Sequence, residues 1–160
     1  MTRILLALGA VLVFGIVNWQ IAAKERLRSG GQVVYLDLSP VDPRSMMQGD
    51  YMALRFLIAD AIEGNVSDNP VRVAVLTLDQ RQIGRFQRLD ASSPLGPGEV
   101  RLRFRIRHGA VWLGTNGFFF QEGDQELYRT ARYGEFRLNE DGDAMLVALR
   151  DADLRRLGPS

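Results

Sequence analysis

An almost unbroken apolar run from Ile4 to Ala23, with Asn18 and Gln20 its only strongly polar residues, constrains this chain more than any other feature. At about 1.5 Å per residue, a helix of that length matches the roughly 30 Å hydrocarbon core of a bilayer. Trp19 falls near the end of the run, where an indole suits the membrane–water interface. The polar residues gather at one end and not along one helical face, which argues against a buried core helix. A cleaved secretory signal is the rival reading, because Arg3 supplies a short charged start and Ile4–Val17 a compact apolar core. Ile21-Ala22-Ala23 sets a bulky residue where cleavage prefers a small one, so an uncleaved anchor over residues 1–23 is favoured. Arg3 on one flank and Lys24, Arg26 and Arg28 on the other leave the positive-inside rule without an answer. The signal-like layout favours a single-pass protein with its domain outside the cytoplasm.

Residues 24–32 are charged and then run Ser29-Gly30-Gly31, which reads as a helix exit and linker. Residues 33–160 have the length of one domain. Apolar residues make up 46% of the chain, enough to build a core and too many for a disordered segment. Twenty basic residues face nineteen acidic ones, and all but Arg3 lie at or beyond Lys24. A domain so close to neutral lacks the basic excess of a nucleic-acid binder. The absence of cysteine excludes disulfides, thiolate zinc sites, iron–sulfur clusters and cysteine nucleophiles. No cofactor is expected, since the only histidine is His108 and the only lysine is Lys24.

The hydrophobic periodicity predicts a mainly β domain, an antiparallel sheet or a small barrel or sandwich, with one short helix. Gln32–Ser39 reads as a strand stopped by Pro40. Asp50–Ile58 reads as a second strand, or as one running into a short helix near Ala59–Ile62, with Gly64–Pro70 as a turn. Val71–Leu78 and Arg81–Leu89 form a hairpin. In Glu99–Arg107, Val100, Leu102, Phe104 and Ile106 alternate with Arg101, Arg103, Arg105 and Arg107. That period of two puts four apolar side chains on one sheet face and four arginines on the other. His108-Gly109 turns the chain into Val111–Leu113, and Phe118-Phe119-Phe120 is a short buried strand. Gly123–Arg132 is the expected helix, with Asp124 as its N-cap. Tyr133–Leu138 and Ala144–Leu149 make a last hairpin, and Asp151–Leu157 suits a short terminal helix.

Gly49-Asp50-Tyr51-Met52-Ala53-Leu54-Arg55-Phe56 reads G-D-Y-x-x-L-x-F and follows Asp42-Pro43-Arg44. Phe118-Phe119-Phe120-Gln121-Glu122-Gly123 makes a second block. From about Val34 onward the chain resembles the bacterial GDYXXLXY family, although the last signature position is usually tyrosine and is Phe56 here. The resemblance implies a membrane-anchored periplasmic domain of the bacterial inner membrane, with no stated activity. In that family the gene often lies beside one for a multi-pass membrane protein, which implies a membrane partner. Read physically, Gly49 frees the backbone for a turn, Asp50 can accept backbone N–H bonds that hold it, and Leu54 and Phe56 share one face. The functional reading makes the Asp42–Tyr51 loop a recognition surface.

These features favour a non-enzymatic accessory protein that contacts a multi-pass partner. The alternative is a binding module for an anionic envelope ligand, a lipid headgroup or a glycan, on the arginine face. Its bland counterpart is a solvated face neutralised by acids on neighbouring strands. Ser45-Met46 ahead of Gly49-Asp50 resembles the Ser-Met…Gly-Asp of type I signal peptidases, which pair a serine nucleophile with a lysine base. A Ser45-dependent peptidase is therefore the last alternative, in a chain with no lysine beyond Lys24.

Overall fold

The computed structural model describes residues 2–39, 47–48, 51–66, 72–115 and 117–159, with the side chains of the first helix described from Gly9 onward. Helix α1 (Thr2–Gly30) is 29 residues long. Among the described residues, no helix is long and apolar enough to cross a membrane. The side chains of Ile4–Leu8, a strongly apolar part of the run, fall outside the described set.

Residues 24–30, expected as linker, continue the helix. Arg28 reaches back one turn to Glu25 at 2.9 Å, a favourable i,i+3 pair. The Ser29 hydroxyl donates to the Glu25 carbonyl at 2.8 Å. Leu27 is buried, and the Gly31 N–H donates to the Leu27 carbonyl at 3.0 Å. A Cβ at Gly31 would collide with that carbonyl and with Arg137 Cβ. The joint between helix and domain is thus one residue, packed too tightly for a side chain.

The domain is mainly β, built from antiparallel sheets. β1 (Gln32–Asp37) pairs with β10 (Tyr133–Leu138), which pairs with β11 (Ala144–Arg150). A second sheet has β4 (Val73–Leu78) between β5 (Gly84–Leu89) and β6 (Glu99–Arg103). A parallel bridge from Tyr35 to Ile83 joins the two sheets. At the other side the Arg103 N–H donates to the Gly142 carbonyl at 2.7 Å, tying β6 to the β10–β11 turn. One core serves both sheets, with Val34, Leu36, Leu76, Leu102, Phe136 and Leu149 all fully buried.

Helix α2 (Leu57–Val66) covers this core with Ile58, Ala59, Ile62 and Val66. Ile58, Ile62 and Val66 stand four apart and line one helical face. Among the described residues the domain's α-helix is therefore here, longer than the short helix expected near Ala59–Ile62, and it includes Gly64. The expected helix over Gly123–Arg132 is only a 3-10 turn, Asp124–Tyr128. Gly123 at φ 92° opens it, and Asp124 makes no side-chain cap. The tail after β11 is not helical either. Asp151 Oδ1 accepts the N–H groups of Asp153 and Arg155 at 2.9 and 2.8 Å, and Leu154 takes φ 63°. An aspartate that holds a turn this way competes with helix formation.

The Glu99–Arg107 stretch is two strands, not one. β6 ends at Arg103, Phe104 donates its N–H to Arg72 at 2.9 Å, and β7 (Arg105–Arg107) leaves to pair with β8 (Ala110–Trp112). His108 and Gly109 form the turn, with φ of 51° and 78°, as a two-residue hairpin loop requires. Val100, Leu102 and Phe104 are buried as expected, whereas Ile106, beyond the break, is 36% exposed.

Candidate functional site

The signature segment forms a small sheet. β2 (Met47–Gln48) pairs with β3 (Tyr51–Ala53), and β3 pairs with β9 (Gly117–Phe119). Asp42, Pro43, Arg44, Gly49 and Asp50, together with Ser45, lie outside the described residues. Leu54 and Phe56 are both buried, sharing a face as their spacing requires. The signature's second half is thus a core element, and Phe56 meets Phe136 edge-on at 5.2 Å.

Tyr51 stands directly opposite Phe119, with ring centroids 5.2 Å apart. Its ring also lies where a Cβ on Gly117 would be, so the second block needs glycine at that position. Phe119 was expected inside a buried strand and is instead 76% exposed. The period of two explains the difference, since Phe118 and Phe120 turn inward onto Tyr128, at 5.0 and 5.3 Å, and Phe119 turns out. Burial raises the Tyr128 hydroxyl above the usual tyrosine value. Glu122 and Gly123 are exposed and bring no functional group to the Tyr51–Phe119 pair.

The four arginines of the stripe have three different fates. Arg101 Nε donates to Asp90 Oδ2 at 2.8 Å, across the sheet from β6 to the end of β5. Beside it Arg88 grips Glu99 with two bonds, 2.6 and 3.0 Å. Val75 stands in register between Arg88 and Arg101 and is fully buried. This part of the face is neutralised by neighbouring acids. Arg103 reaches Asp143 at 3.4 Å, with both side chains about half exposed. Among the described residues Arg105 has no acidic partner, and Arg107 lies over the Trp112 ring at 5.0 Å. His108 is an exposed turn residue. Among the described residues no group of three or more His, Asp or Glu side chains could hold a metal ion.

The crossed pairs have an acid signature. The Arg101 hydrogen bond holds the Asp90 carboxyl below its usual range, and the Arg88 bonds with the Gly96 N–H do the same for Glu99. Carboxylates depressed in the folded state stabilise fully above about pH 4 and lose that contribution as pH falls through their folded values. The denaturant midpoint should therefore drop between about pH 7 and about pH 3, and drop less in Arg88→Gln/Arg101→Gln. Equal acid losses in the two proteins would deny the pairs that role.

Recesses among the described residues flank these elements. One, about 800 Å³, lies between the end of α1 and the β10–β11 turn, and its Arg26 and Arg101 are balanced by Glu99 and Glu140. An apolar recess of about 560 Å³ runs along α1 from Trp19 to Arg28 and touches Met145. Another, about 320 Å³, gathers Lys24, Arg103, Arg105 and Arg107 around Trp112, with Asp143 as its only acid among the described residues. Sequence reasoning found the three arginines but not Lys24 or Trp112, which only the tertiary fold brings to them.

No curated protein and no solved structure matches the chain. The model of the GDYXXLXY protein family matches residues 13–149, from within α1 to the last residue but one of β11, and spans both signature blocks. The chain belongs to the GDYXXLXY protein family.

Proposed function

We propose that this chain is a non-enzymatic accessory module, anchored in a membrane by α1, whose domain contacts a multi-pass membrane partner through the signature sheet. The observation that carries the anchor is the all-round exposure of α1. Val11, Leu12, Val13 and Phe14 are consecutive, point in different directions around the helix, and are 71, 65, 59 and 68% exposed. Every residue from Gly9 to Arg26 is exposed, whereas a helix packed on a water-soluble domain hides one stripe. Ile4–Leu8 extend the apolar stretch towards the N-terminus, and Trp19 followed by Lys24, Arg26 and Arg28 suits an interface. In this reading the domain lies outside the cytoplasm, in the periplasm of a bacterial inner-membrane protein. The partner surface is the edge carrying Tyr51 and Phe119, because an exposed phenylalanine braced by a tyrosine is typical of an interface anchor.

Two measurements test the parts separately. Alkaline extraction should leave the full chain in the membrane fraction, and a C-terminal reporter active only outside the cytoplasm should be active; release by alkali would sink the anchor. For the partner, a tagged chain purified from native membranes should retain one multi-pass protein that Tyr51→Ala/Phe119→Ser loses. The same recovery with the variant, shown to unfold at the native temperature, would remove the signature edge as the contact.

A further inference from the structure

We infer that Lys24, Arg103, Arg105, Arg107 and Trp112 form a binding site for a phosphate group carried on a small organic moiety. The recess they line holds four cations against one carboxylate. Asp143 is already engaged with Arg103 and through its N–H with Asn139 Oδ1, so it offsets one positive charge and leaves three. Four arginines elsewhere on the domain are matched by acids: Arg88 with Glu99, Arg101 with Asp90, Arg55 with Asp60, Arg129 with Glu126. Lys24 and Arg105 have no such partner among the described residues. What sets this recess apart is convergence, four cations around one cavity in a chain whose net charge is only +1.

The geometry also selects the ligand's chemistry. Guanidinium forks bind phosphate oxygens in pairs, and an ammonium adds a compact charge without a fixed plane. Trp112 brings an apolar ring already carrying Arg107, so the site can take an organic group beside the charge. A Cβ on Gly114 would fall against the Ala144 carbonyl, so the exit of β8 packs closely on β11 and closes one side of the recess. A volume of about 320 Å³ is at the lower limit for small-molecule pockets and suits a headgroup-sized anion. Lys24 immediately follows the apolar run of α1, which would set the site at headgroup level if α1 is inserted. Only that last step, the lipid source, rests on the proposed function.

The test uses the full chain with Trp19→Phe, which leaves Trp112 as the one fluorescent indole. In detergent solution it is titrated with inorganic phosphate and with glycerol 3-phosphate. In nanodiscs of phosphatidylcholine it is compared with and without phosphatidylglycerol. A saturable Trp112 response is expected, weakened roughly tenfold or more in Arg105→Gln/Arg107→Gln and unchanged in Arg129→Gln/Arg155→Gln, which removes the same charge from exposed pairs elsewhere. Lys24→Gln, on an exposed helical position, should weaken it too and does not depend on the folding of β7. A response to the soluble probes identifies a free phosphorylated ligand, and a response confined to the anionic nanodiscs identifies a lipid headgroup. No response to any probe, or equal weakening in both double variants, would overturn the site.

Discussion

Replacing Phe56 by alanine should cost about 3–5 kcal/mol, the usual range for an aromatic removed from a core. Phe56 is 1% exposed. It packs edge-on against Phe136 at 5.2 Å, and its ring covers Gly134, where a Cβ would stand only 2.8 Å from the ring edge. Two covering elements also depend on this residue's position. Its backbone bridges to Leu38, and its carbonyl accepts the Ala59 N–H at 2.9 Å as α2 begins. The cavity left behind would be walled by hydrogen-bonded strands, which can collapse only a little. Denaturant unfolding of the full chain in micelles gives the number, with Leu57→Ala as the control. Leu57 is next in sequence but 40% exposed, so its loss should stay within about 0.5 kcal/mol. Similar costs for the two changes would mean that Phe56 is not the keystone described.

Glu135→Gln should be the second large effect, about 3 kcal/mol. Glu135 is the one buried charged residue in the core of the described domain, 4% exposed on the middle strand β10. Arg150 Nε donates to it at 2.7 Å, and Arg137 Nη2 lies at 3.5 Å from its other oxygen. Removing one member of a buried ionic group leaves the others charged and desolvated. Arg137 would keep its Nη1 bond to the Gly31 carbonyl at 3.2 Å, but its Nε is already buried without a partner. The Arg150 and Arg137 side chains are 21 and 27% exposed, which holds the cost to the lower end of the usual range. Adding Arg150→Met to Glu135→Gln should recover part of the loss, because the pair then leaves together. A single-variant loss below about 1 kcal/mol would show that the group is solvated in practice.

Elements whose information is local were readable from the sequence. β1, the β4–β5 hairpin and the β10–β11 hairpin declare themselves by alternation and by the turns between them. Leu54 and Phe56 declare their common burial by spacing alone. The alternation in Glu99–Arg107 is equally local, and for that reason it misled. It continues unbroken through Phe104, but it says nothing about which strand lies alongside, and there the chain changes partners. The Ile58, Ile62, Val66 stripe was present in the sequence, masked by Gly64-Asn65, which looks like a turn and is held helical by burial of Val66. Phe119 could have been placed outside by counting alternate residues from Phe118. The basic recess could not be read at all, because Lys24 meets Arg105 only after α1 has packed beside β10 and β11. The signature tyrosine and the distant Gly117 likewise become a pair only in three dimensions.

The pairing of β1 with β10 sets an order of events during synthesis. Gln32 faces Leu138, so about one hundred residues must follow the first strand before its main partner exists. At translation rates of roughly 5–20 residues per second, β1 waits for several seconds with its Val33-Val34-Tyr35-Leu36 edge unsatisfied. The bridge from Tyr35 to Ile83 offers an earlier resting place, because the β4–β5 hairpin is complete by Leu89. A chain stalled or cut after that hairpin would hold β1 by this bridge alone and expose the other edge to any unpaired strand nearby. Nascent chains ending near Gly123 should therefore aggregate or recruit a chaperone, and those ending beyond Arg150, where β11 has covered the other edge of β10, should not.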